Sequence, residues 1–324
     1  MGDEKMKKPE QLVIQALKLA ARNHQMKDAF LLSKELYPLL WKAARRYVAG
    51  EERTEAIAIA KKISTKDYRF SLEFIGENTV HLEECQKATK EFMALIEELG
   101  KISMKQTVSF DLSHIGLSIN KEVAYSHLLQ LVQQANKHDV LLMISMEESS
   151  KTEDIITVYK KVAAQYSNIG ITLQAHLYRT ELDIQELAQY PGKIRIVKGA
   201  FQEPSTIAFE RSEALNNRYL QYVDHLIKLK HPISIATHDE SIIQVMEQRQ
   251  YFQQANVEIE MLYGIRPELL QSLKGKGYNC KVYLPYGQDW YLYLCHRLAE
   301  NPENLYLALA DILSTVLEDS SEGY

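Results

Sequence analysis

Apolar residues recur at helical spacing through the N-terminal part of the chain. The segments LVIQALKLAARN (12–23), ELYPLLWKAARRYV (35–48) and AGEERTEAIAIAKKI (49–63) each repeat apolar positions three or four residues apart. That spacing collects the apolar side chains on one face of a helix. The pattern therefore predicts that the region from about Pro9 to Lys62 consists of helices only.

Beyond this region, short apolar runs alternate with helical segments. Eight such runs predict strands at 69–76, 107–112, 140–147, 170–177, 193–200, 233–239, 257–264 and 280–287. Most are apolar on both faces, which is typical of a buried parallel sheet. Eight strand-then-helix units over about 250 residues predict an α/β fold of the (β/α)8 TIM-type barrel class. An open doubly wound sheet is the alternative, but no GxGxxG follows the first predicted strand.

These patterns divide the chain into an N-terminal helical segment (1–64) and a barrel (65–324). In such barrels the active site lies at the carboxyl ends of the strands. The predicted strand ends are far more polar than a structural rim needs. They carry Glu73, Asp111, Ser145, Gln174, His176, Lys198, Thr237, His238, Glu260 and Tyr283. Each residue alone could be a cap or a loop residue, but together they indicate a site.

Composition narrows the class of protein. The chain has 324 residues, of which 46% are hydrophobic, so it has enough apolar material for a large core. Its net charge of −5 and the lack of a basic stripe argue against a nucleic-acid partner. Three widely spaced cysteines predict neither disulfides nor a zinc site. The polar start, MGDEKMKKPEQ, and the lack of a long apolar run predict a cytoplasmic protein with at most peripheral membrane contact.

Six motifs, in order, resemble those of the proline dehydrogenase family. Four are IRIVKGAFQEP (194–204), IATHDE (235–240), MLYGIRPELL (261–270) and VYLPYGQDWYLYLCHRLAENPENL (282–305). RYVAGEERTEAIAIAKKI (46–63) and RFSLEFIGEN (69–78) resemble the family's lead-in helix and first strand. The likeness is to the short, monofunctional bacterial form. It implies a distorted (β/α)8 barrel with non-covalent FAD, a C-terminal helix over the barrel mouth, hydride transfer from proline to flavin, and a quinone that reoxidises the flavin.

The resemblance also implies which residues contact the flavin. They are Gln174, Arg195, Val197, Lys198, Gly199, Ala200, Thr237, His238, Leu262, Arg297 and Glu300. One further position departs from the family, which commonly has glutamine where this chain has Glu260. A carboxylate there is expected to lower the reduction potential of the flavin unless it is protonated or paired.

The substrate side departs more strongly. The family's lysine on strand two is Asp111 here, and its aspartate partner on strand three is Ser145. The tyrosine of the family's KGAY motif is Phe201, and the tyrosine of its QAY motif is His176. In addition, His296 stands where the family has an arginine. Together these changes make the formal charge of the pocket about two units more negative when His296 is neutral.

The segment YLYLCHRLAE (291–300) would form the helix over the mouth. Helical spacing places Tyr293, His296, Arg297 and Glu300 on one face. By resemblance, His296 and Arg297 stand where the family has two arginines that grip the proline carboxylate. Tyr293 and Tyr283 would remain as walls of the pocket. This face is therefore expected to look into the site.

Three hypotheses follow from an intact cofactor side and an altered substrate side. The first is an FAD-dependent dehydrogenase or oxidase acting on a cyclic amino acid or related amine, such as a modified or carrier-bound prolyl group. The second is L-proline dehydrogenase activity giving pyrroline-5-carboxylate. The third is a flavin-binding pseudoenzyme that serves as a partner or regulator. No metal ligand spacing is evident in the sequence.

Overall fold

The computed structural model describes residues 9–21, 23–101, 106–300 and 302–314. Its strands are β1 (Arg69–Phe74), β2 (Thr107–Phe110), β3 (Leu141–Ile144), β4 (Ile169–Gln174), β5 (Ile194–Val197), β6 (Ile233–Ala236), β7 (Val257–Leu262) and β8 (Cys280–Tyr286). All pair in parallel with their chain neighbours, and β1 also pairs with β8, so the sheet closes. The predicted (β/α)8 barrel is confirmed.

Helices precede, separate and follow the strands. They are α1 (Pro9–Ala21), α2 (His24–Leu32), α3 (Leu36–Ala44), α4 (Arg53–Thr65), α5 (Leu82–Gly100), α6 (Lys121–Lys137), α7 (Ser149–Ala163), α8 (Thr180–Leu187), α9 (Glu213–Lys228), α10 (Glu240–Gln248), α11 (Pro267–Gly275), α12 (Trp290–Glu300) and α13 (Pro302–Leu313). A short 3₁₀ helix, Leu112–Ile115, follows β2. The polar start of the chain, residues 1–8, lies outside the described residues.

The predicted strands begin at the right places but extend too far. β2 ends at Phe110 rather than at 112, because Asp111 is the N-cap of the 3₁₀ helix that starts at Leu112. β5 ends at Val197 rather than at 200, because Gly199 has a φ of +105°. The apolar pattern continues past each strand, but the backbone turns there. Those extra residues form the mouth of the barrel.

Side chains alternate between two environments along each strand. Outward-facing residues such as Leu72, Leu142 and Ile196 are fully buried against the surrounding helices and form the main hydrophobic core. Most inward-facing residues are polar, and Ser71 and Ser109 share a hydrogen bond of 2.7 Å inside the barrel. The barrel interior is therefore a polar, hydrogen-bonded core enclosed by an apolar shell.

The amino end of the barrel is closed by an ion cluster. Glu258 on β7 accepts hydrogen bonds from Lys281 at 2.5 Å and Lys193 at 2.7 Å. Lys281 also donates to Thr107 on β2 at 3.0 Å. Both Glu258 and Lys281 are 2% exposed. Burial alone would raise the pKa of Glu258, but the two lysines outweigh it and lower that pKa. The cluster leaves the opposite end for ligand binding.

The N-terminal helices hold α12 in place. Trp290, the first residue of α12, is fully buried, and its ring lies 5.2 Å from that of Trp41 on α3. Its Nε1 donates to Glu51 at 3.0 Å. On α4, by contrast, Ala56 and Ala60 pack in the barrel core. The predicted division of the chain at 64/65 stays a prediction.

Candidate active site

Arg195 is the central polar side chain beneath the barrel mouth. It is 5% exposed on β5, and its Nε donates to Thr172 on β4 at 2.8 Å. Its Nη atoms donate to Ser109 at 3.2 Å and to Ser145 at 3.0 Å. Its guanidinium carbon lies 5.4 Å from the centroid of the Tyr283 ring. One cation thus connects strands from opposite sides of the barrel.

Glu260 on β7 is paired with this arginine. Its Oε1 accepts from Arg195 Nη1 at 3.1 Å, and its Oε2 accepts from Ser234 Oγ at 2.6 Å. Glu260 is 3% exposed, so the ion pair is shielded from water. The Glu260 carboxylate is therefore paired, and its charge acts by offsetting that of Arg195 rather than as an isolated negative charge.

Acidic side chains gather around Asp111 at the mouth. Burial raises the pKa of Asp111 well above its usual value, and the nearby charges of Glu147 and Glu73 raise it further. Lys151 acts in the opposite sense, but its ammonium is bound to Glu147 at 2.7 Å. The carboxyl of Asp111 thus lies among other acids rather than beside a cation of its own.

Glu73 connects this acidic group to the arginine. Its Oε2 accepts from Ser145 Oγ at 3.4 Å, and Ser145 Oγ in turn accepts from Arg195. Burial raises the pKa of Glu73 to about 7, although the charge of Arg195 opposes the shift. The Glu73 carboxyl therefore changes charge near neutral pH.

Replacing Glu73 with glutamine is expected to stabilise the fold above pH 7. Between pH 4.5 and 7 the folded state holds a proton that the unfolded state has lost, so the stability contribution of Glu73 falls as pH rises through that window. Above pH 7 the buried carboxylate costs up to ~3 kcal/mol, which glutamine avoids. Urea unfolding of Glu73→Gln and of the original chain at pH 5 and pH 8 measures this difference.

The exposed residue Glu97 on α5 provides the matched control. Glu97→Gln removes the same charge from solvent, so its effect on the free energy of unfolding should be small at both pH values. The prediction is contradicted if the free energy of unfolding of Glu73→Gln exceeds that of the original chain by no more at pH 8 than at pH 5.

Lys198 and His238 lie at the ends of β5 and β6. Lys198 forms an ion pair with Asp239, whose carboxylate also caps α10 by accepting from the Ser241 N–H at 2.9 Å. Burial would raise the pKa of Asp239, but the hydrogen bonds from Lys198 and Ser241 lower it to about 2. His238 Nε2 accepts from the Leu262 N–H at 2.9 Å. Burial lowers the pKa of His238 to about 4, so the ring is neutral.

Gly199 allows the chain to pass close to His176. A Cβ on Gly199 would lie 1.5 Å from Nδ1 of His176, which is 2.9 Å from the Lys198 carbonyl oxygen. His176 is 4% exposed, and its buried Nε2 has no hydrogen-bond partner in the structure. Burial lowers the pKa of His176. A neutral ring and a side-chain-free backbone thus meet at the end of β5.

The predicted polar face of α12 is only partly buried. The guanidinium carbon of Arg297 lies 4.9 Å from the centroid of the Tyr293 ring, and Arg297 pairs with Glu300 at 2.8 Å. Buried atoms of this face, Tyr293 Oη and Arg297 Nε, have no hydrogen-bond partner in the structure. Burial is the main cause of the raised pKa of Tyr293, and the charges of Glu300 and Glu73 add to it. His296 and Glu300 are exposed, contrary to a fully enclosed face.

The remaining predicted residues lie around this centre. Gln174 donates to the Glu147 carbonyl oxygen at 2.8 Å, so its side chain joins β4 to the segment after β3. Thr237 Oγ1 accepts from the Asp239 N–H at 3.1 Å. The others follow β5: Val197 and Phe201 are half-buried, and Ala200 is exposed.

Sequence reasoning gave no specific role to three residues that the structure brings to the site. Glu73 is recognisable as a strand-end residue, but the sequence assigns it no role, and it assigns none to Glu147 and Asp239. Alternation along the predicted strand 140–147 gives Ser145 and Glu147 the same side, which could have identified Glu147. Asp239 directly precedes a helical segment, which is the usual place of a capping aspartate.

The residues at the mouth fit an anionic, planar ligand such as a flavin. Arg195 and Lys198 supply positive charge, and Gly199 lets the backbone approach a ring system. The unpartnered buried atoms of His176 and Arg297 are suitable hydrogen-bonding groups. No group of three or more metal-ligating side chains occurs among the described residues. Within those residues, no helix has the length and apolar content needed to cross a membrane.

Comparison with known proteins gives a consistent result. The family model described as proline dehydrogenase matches residues 56–306. Proline dehydrogenase 1 of Bacillus subtilis is 30% identical over 273 residues, which are 83% of this chain and 90% of that protein. The proline dehydrogenase of Deinococcus radiodurans is 29% identical over 285 residues, which are 85% of this chain and 91% of that protein.

A solved structure shows a similar fold. Proline utilization A from Bdellovibrio bacteriovorus, inactivated by N-propargylglycine, superposes with a TM-score of 0.75 and 19% sequence identity. The match covers 89% of this chain but only 38% of that longer protein. At this identity the likeness concerns the fold alone.

Proposed function

Because the chain belongs to the proline dehydrogenase family, and is thus a flavin-dependent dehydrogenase acting on a carbon–nitrogen bond, we propose that it binds FAD and oxidises a cyclic amino acid or related amine. The acidic group around Asp111 is the observation that carries the substrate part of this proposal. An ammonium would stabilise the ionised form of Asp111, whereas a free carboxylate would meet other acids there and no cation of its own. The preferred substrate is therefore a proline-like amine whose carboxylate is masked, as in a modified or carrier-bound prolyl group.

The cofactor part of the proposal rests on the side of the mouth formed by β4 to β7. Arg195 and Lys198 would face the electron-rich parts of FAD, and Gly199 would allow close backbone contact. Thr237 and His238 would add hydrogen bonds. FAD, when bound, supplies a two-electron hydride acceptor.

The chain's own residues would handle the substrate's proton and position. Asp111 would hold the substrate ammonium and take up its proton, leaving a neutral amine. Such a neutral amine would allow the adjacent carbon to give up a hydride to the acceptor that FAD supplies, with a carbon–nitrogen double bond in the product. Tyr283 and Tyr293 would wall the ring, while Arg297 would orient the masked carboxyl group through its carbonyl oxygen.

Anaerobic mixing of the purified protein with a panel of pyrrolidines tests this proposal. L-Prolinamide, L-proline methyl ester and pyrrolidine are expected to bleach the bound flavin at lower concentrations than L-proline. A bound flavin that stays oxidised with every compound contradicts the activity. A colourless protein that takes up no added FAD contradicts the cofactor and favours a pseudoenzyme instead.

L-Proline itself is the second candidate substrate. Arg297, Tyr283 and Tyr293 occupy the positions that resemble the family's proline pocket, and curated relatives of similar length carry the name proline dehydrogenase. A protonated His296 would replace part of the missing positive charge. Flavin bleaching by L-proline at concentrations below those needed for L-prolinamide would establish this alternative.

A quinone or another acceptor is proposed to reoxidise the flavin, and no nucleic acid is involved. We place the protein in the cytoplasm, with at most a peripheral contact at the inner face of the membrane. Cys85, Cys280 and Cys295 are free and buried, which agrees with a reducing compartment.

A further inference from the structure

The ion pair between Arg195 and Glu260 lies directly below the proposed flavin site. Both residues are at most 5% exposed, and the hydrogen bonds described for the pair all go to polar groups inside the barrel. Glu260 is fixed from two sides, by Arg195 at 3.1 Å and by Ser234 at 2.6 Å. The carboxylate is therefore held next to the guanidinium in one geometry.

The charge of this carboxylate acts on the same ligand as the charge of the arginine. A cation near the isoalloxazine stabilises the reduced, more negative flavin and raises its reduction potential. An adjacent carboxylate in a water-excluded site opposes that effect, because electrostatic interactions are little screened there. A neutral glutamine at this position would leave Arg195 without the carboxylate that pairs with it directly.

We propose that Glu260 is a positioning residue that fixes the orientation of Arg195 and lowers the reduction potential of the bound flavin. The inference rests on the proposed function, since it requires FAD at the mouth. It predicts a reduced flavin that gives up its electrons more readily than in a site with glutamine at this position. The chain would accordingly be matched to an acceptor of lower potential.

Dye-equilibrium titration of the FAD-loaded protein under anaerobic conditions measures the midpoint potential. Glu260→Gln keeps the shape of the side chain and removes its charge. We expect this substitution to shift the equilibrium toward the reduced flavin by at least tenfold. That shift corresponds to a rise of ~30 mV in the midpoint potential of a two-electron couple. Ser234→Ala is the matched control, because it removes one hydrogen bond from Glu260 and leaves the carboxylate in place. Its potential should shift much less than that of Glu260→Gln, because the charge that offsets Arg195 remains.

A second variant keeps the inference testable if Glu260→Gln does not fold. The double variant Arg195→Gln/Glu260→Gln removes both charges, so its potential should lie close to the original value and below that of Glu260→Gln. Equal potentials in Glu260→Gln and the original protein overturn the inference, as does a large fall in the double variant. An original protein that holds no FAD overturns the proposed function itself, which is a distinct outcome.

Discussion

L-Proline is expected to become a better substrate, by roughly 30-fold or more in kcat/KM, when Asp111→Lys and Ser145→Asp are introduced together. Asp111 lies among Glu73 and Glu147, so the original site opposes a substrate carboxylate. The lysine would offer that carboxylate a buried cation, and the aspartate at 145 would hold the lysine in place. Steady-state turnover of L-proline and L-prolinamide measures the change, and the preference for prolinamide should reverse.

The two changes should act as a unit. Ser145→Asp alone adds another acid near Glu73 and should weaken L-proline turnover further. Asp111→Lys alone should give only part of the gain, because Glu147 and Glu73 compete for the lysine. Asp154→Lys on α7 reproduces the charge change of Asp111→Lys away from the mouth, since Asp154 pairs with Lys121 at the surface. A double variant no better than Asp154→Lys contradicts the electrostatic explanation.

The fold is predictable from the sequence because the alternation of apolar runs and helical segments repeats along most of the chain. Each strand is a short apolar run followed by a helical segment, and β1 to β8 appear in that order in the barrel. The strand ends are less predictable. At Asp111 and Gly199 the backbone leaves the sheet for local reasons, a 3₁₀ turn and a left-handed φ, which the apolar pattern does not encode.

The site is predictable in its members but not in its pairings. The strand-end rule identified Ser145 and Glu260, and the resemblance to the family identified Arg195. Only the closed barrel shows that β3, β5 and β7 bring these three together. The acidic group also depends on strand pairing. Glu147 lies near Asp111 because the adjacent strands β2 and β3 end side by side. Contacts across the barrel depend on closure, which no local pattern specifies.

The two ends of the polar barrel interior differ in how their polar groups are paired, which explains how the interior can be stable and still bind a ligand. At the base, Glu258 is enclosed by Lys281 and Lys193, so that end is satisfied within the protein. At the mouth, in contrast, His176 Nε2 and Arg297 Nε are buried without hydrogen-bond partners in the structure. Unpaired polar groups are costly when buried, so a ligand that bonds to them gains affinity.

Replacing Gly199 with alanine is expected to weaken FAD binding by roughly tenfold or more and to destabilise the fold. The added methyl group would lie 1.5 Å from His176 Nδ1, so the ring must move and lose its contact with the Lys198 carbonyl oxygen. Overpacking of this kind costs about 1–3 kcal/mol. The φ of +105° adds about 1–2 kcal/mol for a residue with a side chain. FAD titration by fluorescence and urea unfolding measure the two effects.

A substitution at Gly277 separates the steric cost of an added Cβ from the backbone cost of a positive φ. It also has a positive φ, +85°, but a Cβ added there would meet no heavy atom within 4 Å. Gly277→Ala should therefore carry only the backbone cost of about 1–2 kcal/mol and leave FAD binding unchanged. The double variant Gly199→Ala/His176→Ala removes the obstructing ring and should recover stability to about the level of Gly277→Ala. If Gly199→Ala and Gly277→Ala are equally stable and bind FAD equally well, the close approach at the end of β5 does not shape the cofactor site.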